Sequence, residues 1–324
     1  MAELETTNTI AKQTVEELAS RLAEPTWLVD NRLSAWEAYY KTPMPTDRDE
    51  GWKRTAIGNL DPSMLRTINI PAAVEVDKVP AQASWLSAAL AHFKELSGVL
   101  VQSVKKPGSF VLDKNLASKG VLFCDIATAI VKHADKIQPY LSTAANAEED
   151  GKFTLLSRAL FNCGLFLYVP KGVEINAPFF YALDLTGAKS EAVLPRTLVV
   201  AEDLSKVTLA YIIGSDSMEK KDEAPPISLL SQFVEIHVKP AAKVSYLELQ
   251  QQDNEIFMIN RSNCLVDRDG RYESLTLALG GCQTKSDMAT VLRAPGASSE
   301  ILGVVLGGGE EKFSFNTIQD HAAS

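Results

Sequence analysis

Apolar side chains in the first 150 residues recur every three or four positions, which is the spacing of an amphipathic helix. This spacing predicts four helices, with apolar positions at 15–22, 29–40, 86–93 and 126–141. Thr14 and Glu17 have the spacing of a capping box for the first helix, and Asp125 stands at the N-cap position of the fourth. Pro43 and Pro45 are expected to end the second helix, because proline cannot continue the hydrogen-bond ladder.

From residue 152 onward, the pattern changes to short apolar runs separated by turns that contain proline, glycine or charge. Such runs are typical of strands, and they lie at 165–169, 197–201, 207–213, 233–238, 244–249, 255–259, 272–279, 288–292 and 301–306. The runs follow one another without helical patterns between them, which argues against a doubly wound α/β fold. Residues 142–151 are small, polar and acidic, and they predict a boundary between a mainly helical region, 1–150, and a strand region, 151–324.

The turns of the strand region resemble one another. Each has a charged residue or proline, then a small residue, and then a renewed apolar run. The small residues recur at intervals of 27 to 37 positions, at Gly172, Ser205, Ala242, Gly270 and Ala297. Repeats of this length are typical of stacked architectures. A parallel β-helix fits the pattern, and a β-sandwich shares many of its features, so the period alone leaves both open.

Composition narrows the functional classes. The chain has 324 residues, 46% of them hydrophobic, a formal net charge of −9 and a pI near 5.1. This acidity repels phosphate backbones, so we expect no nucleic-acid partner. The N-terminus lacks the basic and apolar segments of a secretory signal, and no apolar run has the roughly 18–20 residues of a membrane span. We therefore expect a cytoplasmic protein without a membrane partner.

The cysteines are the first candidates for chemistry. Cys124, Cys163, Cys264 and Cys282 have none of the spacings of a zinc or iron–sulfur motif, so we expect them to be small buried hydrophobic residues. One alternative is a transient sulfur or iron site, if Cys264 and Cys282 approach each other between neighbouring turns of the chain.

The histidines give weaker signals. His321 stands beside Asp320 and could be an iron ligand, but a solvent-facing position in a turn is the simpler interpretation. His237 alternates with Ile236 and Val238, so it is expected to point to the face opposite them. The other two stand in predicted helices and are assigned no chemistry: His92 and His133.

Three further motifs have simple interpretations. The glycines at 307–309 precede two glutamates and lack the Gly-Lys-Ser/Thr ending of a phosphate loop, so they predict a turn. The charged run at 219–223 predicts a solvated loop. Asp267 and Asp269 could supply the paired carboxylates of a β-helical carbohydrate-active enzyme, but Arg268 and Arg271 flank them in one turn.

Four phrases carry a family resemblance. They are EPTWLVDNRLSAWEAYYKTPMPTDRDEGWKRT at 24–55, FNCGLFLYVPKGVEINAPF at 161–179, PRTLVVAEDLSKVTLAYIIGS at 195–215 and FVEIHVKPAAKVSYLELQ at 233–250. In this order they resemble the SufB/SufD family of iron–sulfur cluster assembly proteins. The first phrase is more similar to SufD-type than to SufB-type members, and a SufB-like paralogue is the alternative. Cys163 departs from the family, which often has a small or acidic residue there.

The resemblance implies an α+β fold, with an N-terminal helical region followed by a right-handed parallel β-helix, the SufBD core. It also implies a C-terminal helical domain, which is missing from this sequence together with the family's Cys-x-His pair, so we expect a C-terminally truncated member. The implied role is a non-catalytic scaffold of a SufBCD complex, with a SufB-like subunit and a SufC-like ABC ATPase as partners. The iron–sulfur cluster would be transient and belong to the complex, so no catalytic, cofactor-binding or metal-binding residue is assigned.

Overall fold

The computed structural model describes residues 10–323 except 54, 56, 59, 69, 80–83, 142–146 and 217–226. Within these residues lie the α-helices α1 (Lys12–Arg21), α2 (Thr26–Lys41), α3 (Ser84–Ala91), α4 (Lys114–Ser118), α5 (Ile126–Lys132), α6 (Ala134–Leu141) and α7 (Ala147–Leu160). The strands of the N-terminal part are β1 (Arg66–Thr67), β2 (Val74–Glu75), β3 (Gly98–Ser103), β4 (Ser109–Leu112) and β5 (Leu122–Asp125). Those that follow are β6 (Cys163–Val169), β7 (Phe179–Asp184), β8 (Glu191–Val193), β9 (Pro195–Ala201), β10 (Lys206–Gly214), β11 (Ser228–Val238), β12 (Lys243–Gln251), β13 (Ile256–Val266), β14 (Arg271–Ala278), β15 (Gln283–Leu292), β16 (Ser298–Val305) and β17 (Lys312–His321).

The strands form two sheets. The first sheet has the order β17-β15-β13-β11-β9-β6-β5 with β8 and β1 attached, and the second has the order β16-β14-β12-β10-β7-β3-β4-β2. From β9 to β17, consecutive strands alternate between the sheets, and each strand pairs in parallel with the strand two positions later. The antiparallel pairs among the described strands are β3 with β4 and β5 with β6. The molecule is therefore α+β with large, mostly parallel sheets, and a sandwich of antiparallel sheets is excluded.

The core lies between the two sheets. Alternate side chains of each strand face this interior because successive residues of a strand point to opposite faces. Leu165, Leu209 and Val234 are fully buried there, and the rings of Tyr181 and Tyr211 stack with their centroids 4.5 Å apart. Burying side chains of this size contributes roughly 1.5–3 kcal/mol each.

Helices cover the outer faces of the sheets. On the first sheet, α7 packs against β11 and carries α2 on its other side. On the second sheet, α3 inserts Leu86, and Phe93 just beyond the helix meets Phe180 edge-on at 5.3 Å between centroids. As a result, central strands such as β7 and β9 are buried on both faces. No helix in the described part of the chain is both long and apolar enough to cross a bilayer.

The helix predictions are confirmed at α1, α2 and α3, whereas the capping box predicted for α1 and the helix predicted over α5 and α6 need correction. Helix α1 begins at Lys12 with Ala11 as its N-cap, so Thr14 is the third helical residue and not the N-cap. The Thr14 hydroxyl accepts a hydrogen bond of 3.2 Å from the Ala11 amide. Asp125 does cap α5, since its carboxylate accepts a hydrogen bond of 3.0 Å from the Thr128 amide. The predicted fourth helix, however, is two helices, because His133 leaves helical geometry with φ −132° and ψ 38°.

All nine predicted strands are confirmed. The strands that the sequence reading missed include β1 to β5, which lie in the region predicted to be mainly helical. Short apolar runs such as GVLVQS in β3 do not distinguish a strand from a buried helix by period alone. Part of the predicted boundary, 142–146, lies outside the described residues, and α7 with a non-helical Gly151 covers the rest.

The sequence repeat corresponds to a repeated turn. One residue in each turn has a left-handed backbone with φ between 55° and 76°: Gly172, Leu204, Ala241, Asp269 and Gly296. In the last four turns, the small residue of the repeat follows this position directly. The amides of the three left-handed residues that are not glycine donate hydrogen bonds of 2.8–3.2 Å to carbonyl groups of the next turn. These bonds offset the cost of roughly 1–2 kcal/mol for each left-handed conformation.

Hydrophobic side chains become exposed at the ends of the two sheets. Strand β16 is the last strand of the second sheet, and Leu302, Val304 and Val305 are each more than 40% exposed. Strand β17 is the last of the first sheet and exposes Ile318.

Candidate functional site

Three of the four cysteines are buried, and the fourth, Cys282, is partly exposed to solvent. Cys163 and Cys264 face the interior between the sheets, and burial raises the pKa of both thiols. Burial, together with the neighbouring Asp125 carboxylate, raises the pKa of Cys124 to about 12. Cys282 is partly exposed, and its pKa is raised mainly by burial. Since the thiolate is the nucleophile and the metal ligand, these environments favour the inert, protonated form.

The structure does not bring Cys264 and Cys282 together. The Cys282 thiol donates a hydrogen bond of 3.2 Å to the carbonyl of Ile256, at the start of β13. Cys264 lies eight residues further along that strand, which corresponds to roughly 26 Å at the rise of an extended chain. A shared sulfur or iron site at these two thiols is therefore excluded in this conformation.

His237 lies where the alternation predicted it. Ile236 and Val238 belong to the interior core, whereas His237 faces outward and packs on Tyr140 of α6, with ring centroids 4.5 Å apart. Burial, together with the nearby cations of Lys239 and Arg293, lowers the pKa of His237 to about 3. The imidazole is consequently neutral at physiological pH and acts as a packed aromatic ring.

The other histidines lie apart from one another. His321 is the last residue of β17, beside Asp320, and both side chains are exposed. The predicted exposure of His321 is confirmed, whereas its predicted position in a turn is wrong. His92 follows the last residue of α3, and His133 separates α5 from α6. The prediction that both histidines lie inside helices is therefore wrong. Among the described residues, no group of three His, Cys, Asp or Glu side chains could hold a metal ion.

The remaining motifs are structural where they are described. Arg293 donates hydrogen bonds of 2.6 and 2.9 Å to Asp267, so this carboxylate is part of an ion pair, and Asp269 is the left-handed residue of the same turn. This arrangement does not favour a carbohydrate-active enzyme. The glycines at 307–309 form the connection between β16 and β17, where the Gly308 amide donates a hydrogen bond of 2.7 Å to Glu311. The charged run at 219–223 lies outside the described residues.

A polar cluster lies inside the interior between the sheets. Glu248 of β12 is 1% exposed, and its carboxylate accepts hydrogen bonds from the Tyr246 hydroxyl at 2.6 Å and from the amides of Gln250 and Gln232 at 2.6 and 2.8 Å. Burial raises the pKa of Glu248, while the three hydrogen bonds lower it and only partly compensate. The net direction favours the protonated carboxyl.

The polar cluster continues across the first sheet. The Gln232 amide also donates a hydrogen bond of 2.9 Å to Asn260, which donates one of 2.8 Å to Ser286. These three residues lie on β11, β13 and β15, which are neighbours in the sheet. The interior is therefore apolar around β7 and β10 and becomes polar toward β15. The hydrogen bonds of this cluster favour one register of the strands, although the side-chain oxygens of Gln232 and Gln250 have no partner in the described part of the chain.

Sequence reasoning missed this cluster, although a signal was present. In VSYLELQ the alternation that turns Val244 and Tyr246 inward also turns Glu248 inward, while Leu247 and Leu249 pack on the outer face. A carboxylate in phase with buried residues marks such a buried site.

Two family models match the chain. The SufBD protein N-terminal region matches residues 94–179, and the SufBD core domain of the SUF system for FeS cluster assembly matches residues 184–324. Together the two matches cover more than two thirds of the sequence. The core match contains β8 to β17, which form the regular parallel part of both sheets.

Curated relatives agree with these models. Iron–sulfur cluster assembly SufBD family proteins of Staphylococcus saprophyticus, Staphylococcus haemolyticus and Staphylococcus epidermidis are each 26% identical to the chain over 303 residues. The matched region covers 92% of this chain and 63% of each relative, so the chain spans less than two thirds of their length. With both family models in sequence order along the two sheets, the chain belongs to the SufBD family of iron–sulfur cluster assembly proteins.

Proposed function

We propose that the protein is a SufD-like, non-catalytic scaffold subunit for iron–sulfur cluster assembly. Its partners in this proposal are a SufB-like subunit and a SufC-like ABC ATPase in a SufBCD complex in the cytoplasm. The cluster is a transient cargo of the complex and no cofactor stays bound to this chain. The observation that carries the proposal is the burial of Cys163 and Cys264 in the core, with the pKa of both thiols raised.

The chemistry of sulfur transfer connects this observation to a scaffold role. A subunit that receives sulfur or ligates iron through cysteine needs an accessible thiolate. Here the two interior thiols are 1–2% exposed, and the pKa of Cys124 is raised to about 12. The pKa of Cys282 is also raised, and this thiol donates to a backbone carbonyl. A subunit with such thiols contributes surfaces to the complex and leaves the sulfur chemistry to a partner.

The proposed architecture is a right-handed parallel β-helix that follows a mainly helical region. The alternation of consecutive strands between two sheets, with parallel pairing two positions apart, supports a chain that coils around one interior. The repeated left-handed turns support the same coil, because each occupies an equivalent position in successive turns of the chain. A boundary at residue 150 places α1 to α6 in the helical region and the strands from β6 onward in the β-helix.

Co-purification tests the scaffold proposal. The full-length protein would be expressed with an affinity tag, together with the SufB-like and SufC-like proteins of the same organism. We expect a stable complex that contains all three chains after size-exclusion chromatography. Recovery of the tagged protein without either partner would contradict the proposal.

Reconstitution separates a SufD-like from a SufB-like subunit. The purified protein alone would be incubated anaerobically with iron and sulfide, and the iron retained after desalting would be measured. A SufD-like scaffold is expected to retain no stoichiometric iron, whereas retention of one cluster per chain would favour the SufB-like alternative.

A further inference from the structure

A cavity of about 420 Å³ lies between the connection after α2, the start of α7 and the outer face of the first sheet. Its wall on the sheet comes from Arg261 of β13 and Asp287 of β15, which are paired neighbours in the ladder. We call it the Arg261 cavity. Its volume is within the range of roughly 300–1,000 Å³ that small-molecule sites occupy.

The carboxylates that line this cavity already have partners. Both oxygens of Asp287 accept hydrogen bonds from the Lys285 ammonium, at 2.6 and 2.7 Å. Asp150 forms an ion pair of 3.0 Å with Arg158, and Asp49 accepts a hydrogen bond of 2.6 Å from the amide of Thr46. Asp150 and Asp287 are thus paired with cations of the protein, and Asp49 is hydrogen-bonded to a neutral amide.

The two cations that line the cavity, Lys152 and Arg261, differ in whether their side chains have hydrogen-bond partners. The Lys152 ammonium donates hydrogen bonds of 2.6 Å to the carbonyl groups of Tyr39 and Thr42. Arg261, by contrast, has neither an ion pair nor a hydrogen bond among the described residues, and its Nε is buried without a partner. A guanidinium whose charge has no partner among the described residues can form an ion pair with an anion that enters the cavity.

An aromatic wall stands beside these charges. Trp52 and Phe153 both line the cavity, with ring centroids 5.5 Å apart and an angle of 34° between the rings. The Lys285 ammonium lies over one face of the Trp52 ring, 5.1 Å from its centre. Met44 adds a flexible apolar contact on the same side. The cavity therefore offers a flat apolar surface next to an uncompensated guanidinium.

We propose that the Arg261 cavity binds a small organic oxyanion that carries a flat apolar body. Its carboxylate or phosphate group accepts hydrogen bonds from the Arg261 guanidinium, whose planar fork matches both anions. Its apolar body packs against Trp52, and the buried Phe153 ring supports Trp52. This binding site is independent of the scaffold role, because it uses neither the thiols nor a partner chain.

Calorimetric titration of the full chain tests this site. The probes are benzoate and phenyl phosphate, which separate the carboxylate from the phosphate, and benzamide and benzyl alcohol as uncharged analogues. We expect saturable binding of at least one anion with a Kd of about 1 mM or tighter, and binding of the uncharged analogues at least about tenfold weaker. Equal affinity for charged and uncharged probes, or no saturable heat with either anion, would overturn the proposal.

Two variants assign the binding to this cavity. Arg261→Gln is expected to weaken anion binding by about ten- to a hundredfold. The matched control is Arg268→Gln, in the exposed turn that follows β13, and this variant is expected to bind the anion like the wild type. If Arg261→Gln does not fold, Trp52→Phe provides the second test, since the change of tryptophan fluorescence on binding should disappear. Unchanged affinity in Arg261→Gln, or an unchanged fluorescence response in Trp52→Phe, would contradict the assignment.

Discussion

Arg32 and Glu24 form a two-point ion pair that is closed to solvent. The Nε and Nη2 atoms of Arg32 donate hydrogen bonds of 2.7 and 2.8 Å to the two carboxylate oxygens of Glu24. Two further donors of Arg32 reach the carbonyl groups of Ala159 and Phe161 at 3.0 and 3.1 Å, and the guanidinium lies 3.7 Å from the centre of the Phe161 ring. Arg32 therefore ties α2 to the end of α7 and explains why the opening glutamate and the helix arginine occur together in the first phrase of the family resemblance.

Removal of this arginine is expected to be strongly destabilising. Arg32→Ala leaves the Glu24 carboxylate buried without its cation and two carbonyl groups without donors. We expect the free energy of unfolding to fall by about 3–5 kcal/mol in urea denaturation. The exposed pair of Lys53 and Glu50 is the control, and Lys53→Ala should be indistinguishable from the wild type. A small effect of Arg32→Ala would contradict the role of Arg32 as a tie between the helices.

Gly164 is required by the close approach of β6 and β9. Its φ is 131°, and a Cβ atom there would collide with the backbone of Arg196, its partner in the ladder. Gly164→Ala should therefore lower the free energy of unfolding by more than about 3 kcal/mol.

The matched control for Gly164 is Gly303 in β16, where a Cβ atom would meet nothing within 4 Å. Gly303→Ala is expected to leave the midpoint of thermal unfolding unchanged or slightly raised. Similar midpoints for the two variants would contradict the close approach of β6 and β9 at Gly164.

The raised pKa of Glu248 predicts a pH dependence of stability. Because the pKa in the folded state is above that of the unfolded chain, the folded state binds the proton more tightly, and stability is lost as the pH rises from about 4.5 through the folded pKa. Glu248→Gln removes this titration, and its amide can donate to the side-chain oxygens of Gln232 or Gln250, which have no partner in the described structure.

Unfolding by urea between pH 4.5 and 8 measures this effect. Glu248→Gln should be at least as stable as the wild type at pH 8 and should show a flatter pH profile. Glu248→Ala should instead lose about 1–3 kcal/mol at each pH, because the donors of Tyr246 and Gln232 lose their acceptor. A steeper profile for Glu248→Gln than for the wild type would disprove the raised pKa.

The lowered pKa of His237 predicts a pH dependence of stability that is opposite to the one predicted for Glu248. Its pKa is lowered to about 3, so between that value and the ordinary value near 6.5 the unfolded chain binds a proton that the folded protein does not. Stability from this group is complete above pH 6.5 and is lost as the pH falls toward 3. An NMR titration of the imidazole signal is expected to show no protonation above pH 5, and a midpoint near 6.5 would contradict the packing on Tyr140.

Local signals in the sequence predicted much of the fold. Asp125 marked a helix start because an N-cap acts within one turn, and the small residues near Ala242 and Gly270 marked the repeated turns because each turn has the same backbone geometry. His133 was misjudged, since the break between α5 and α6 carries no proline or glycine at that position.

Long-range placement explains what the sequence did not predict. The Arg261 cavity depends on residues near 45, 150 and 260, whose proximity follows from how the helices pack on the first sheet. The separation of Cys264 from Cys282 follows from the register of β13 and β15, which a repeat of variable length does not define.

Cluster assembly with a variant that lacks the four cysteines of this sequence tests the scaffold role most directly. Cys124, Cys163, Cys264 and Cys282 would be replaced together by alanine in the full-length protein, and the variant would be purified with its SufB-like and SufC-like partners. With the intact complex verified by size-exclusion chromatography, iron and acid-labile sulfide would be quantified after assembly. We expect the same iron and sulfide content per complex as with the wild type. Loss of the cluster from an otherwise intact complex would contradict the scaffold role and show that a thiol of this chain takes part in the chemistry.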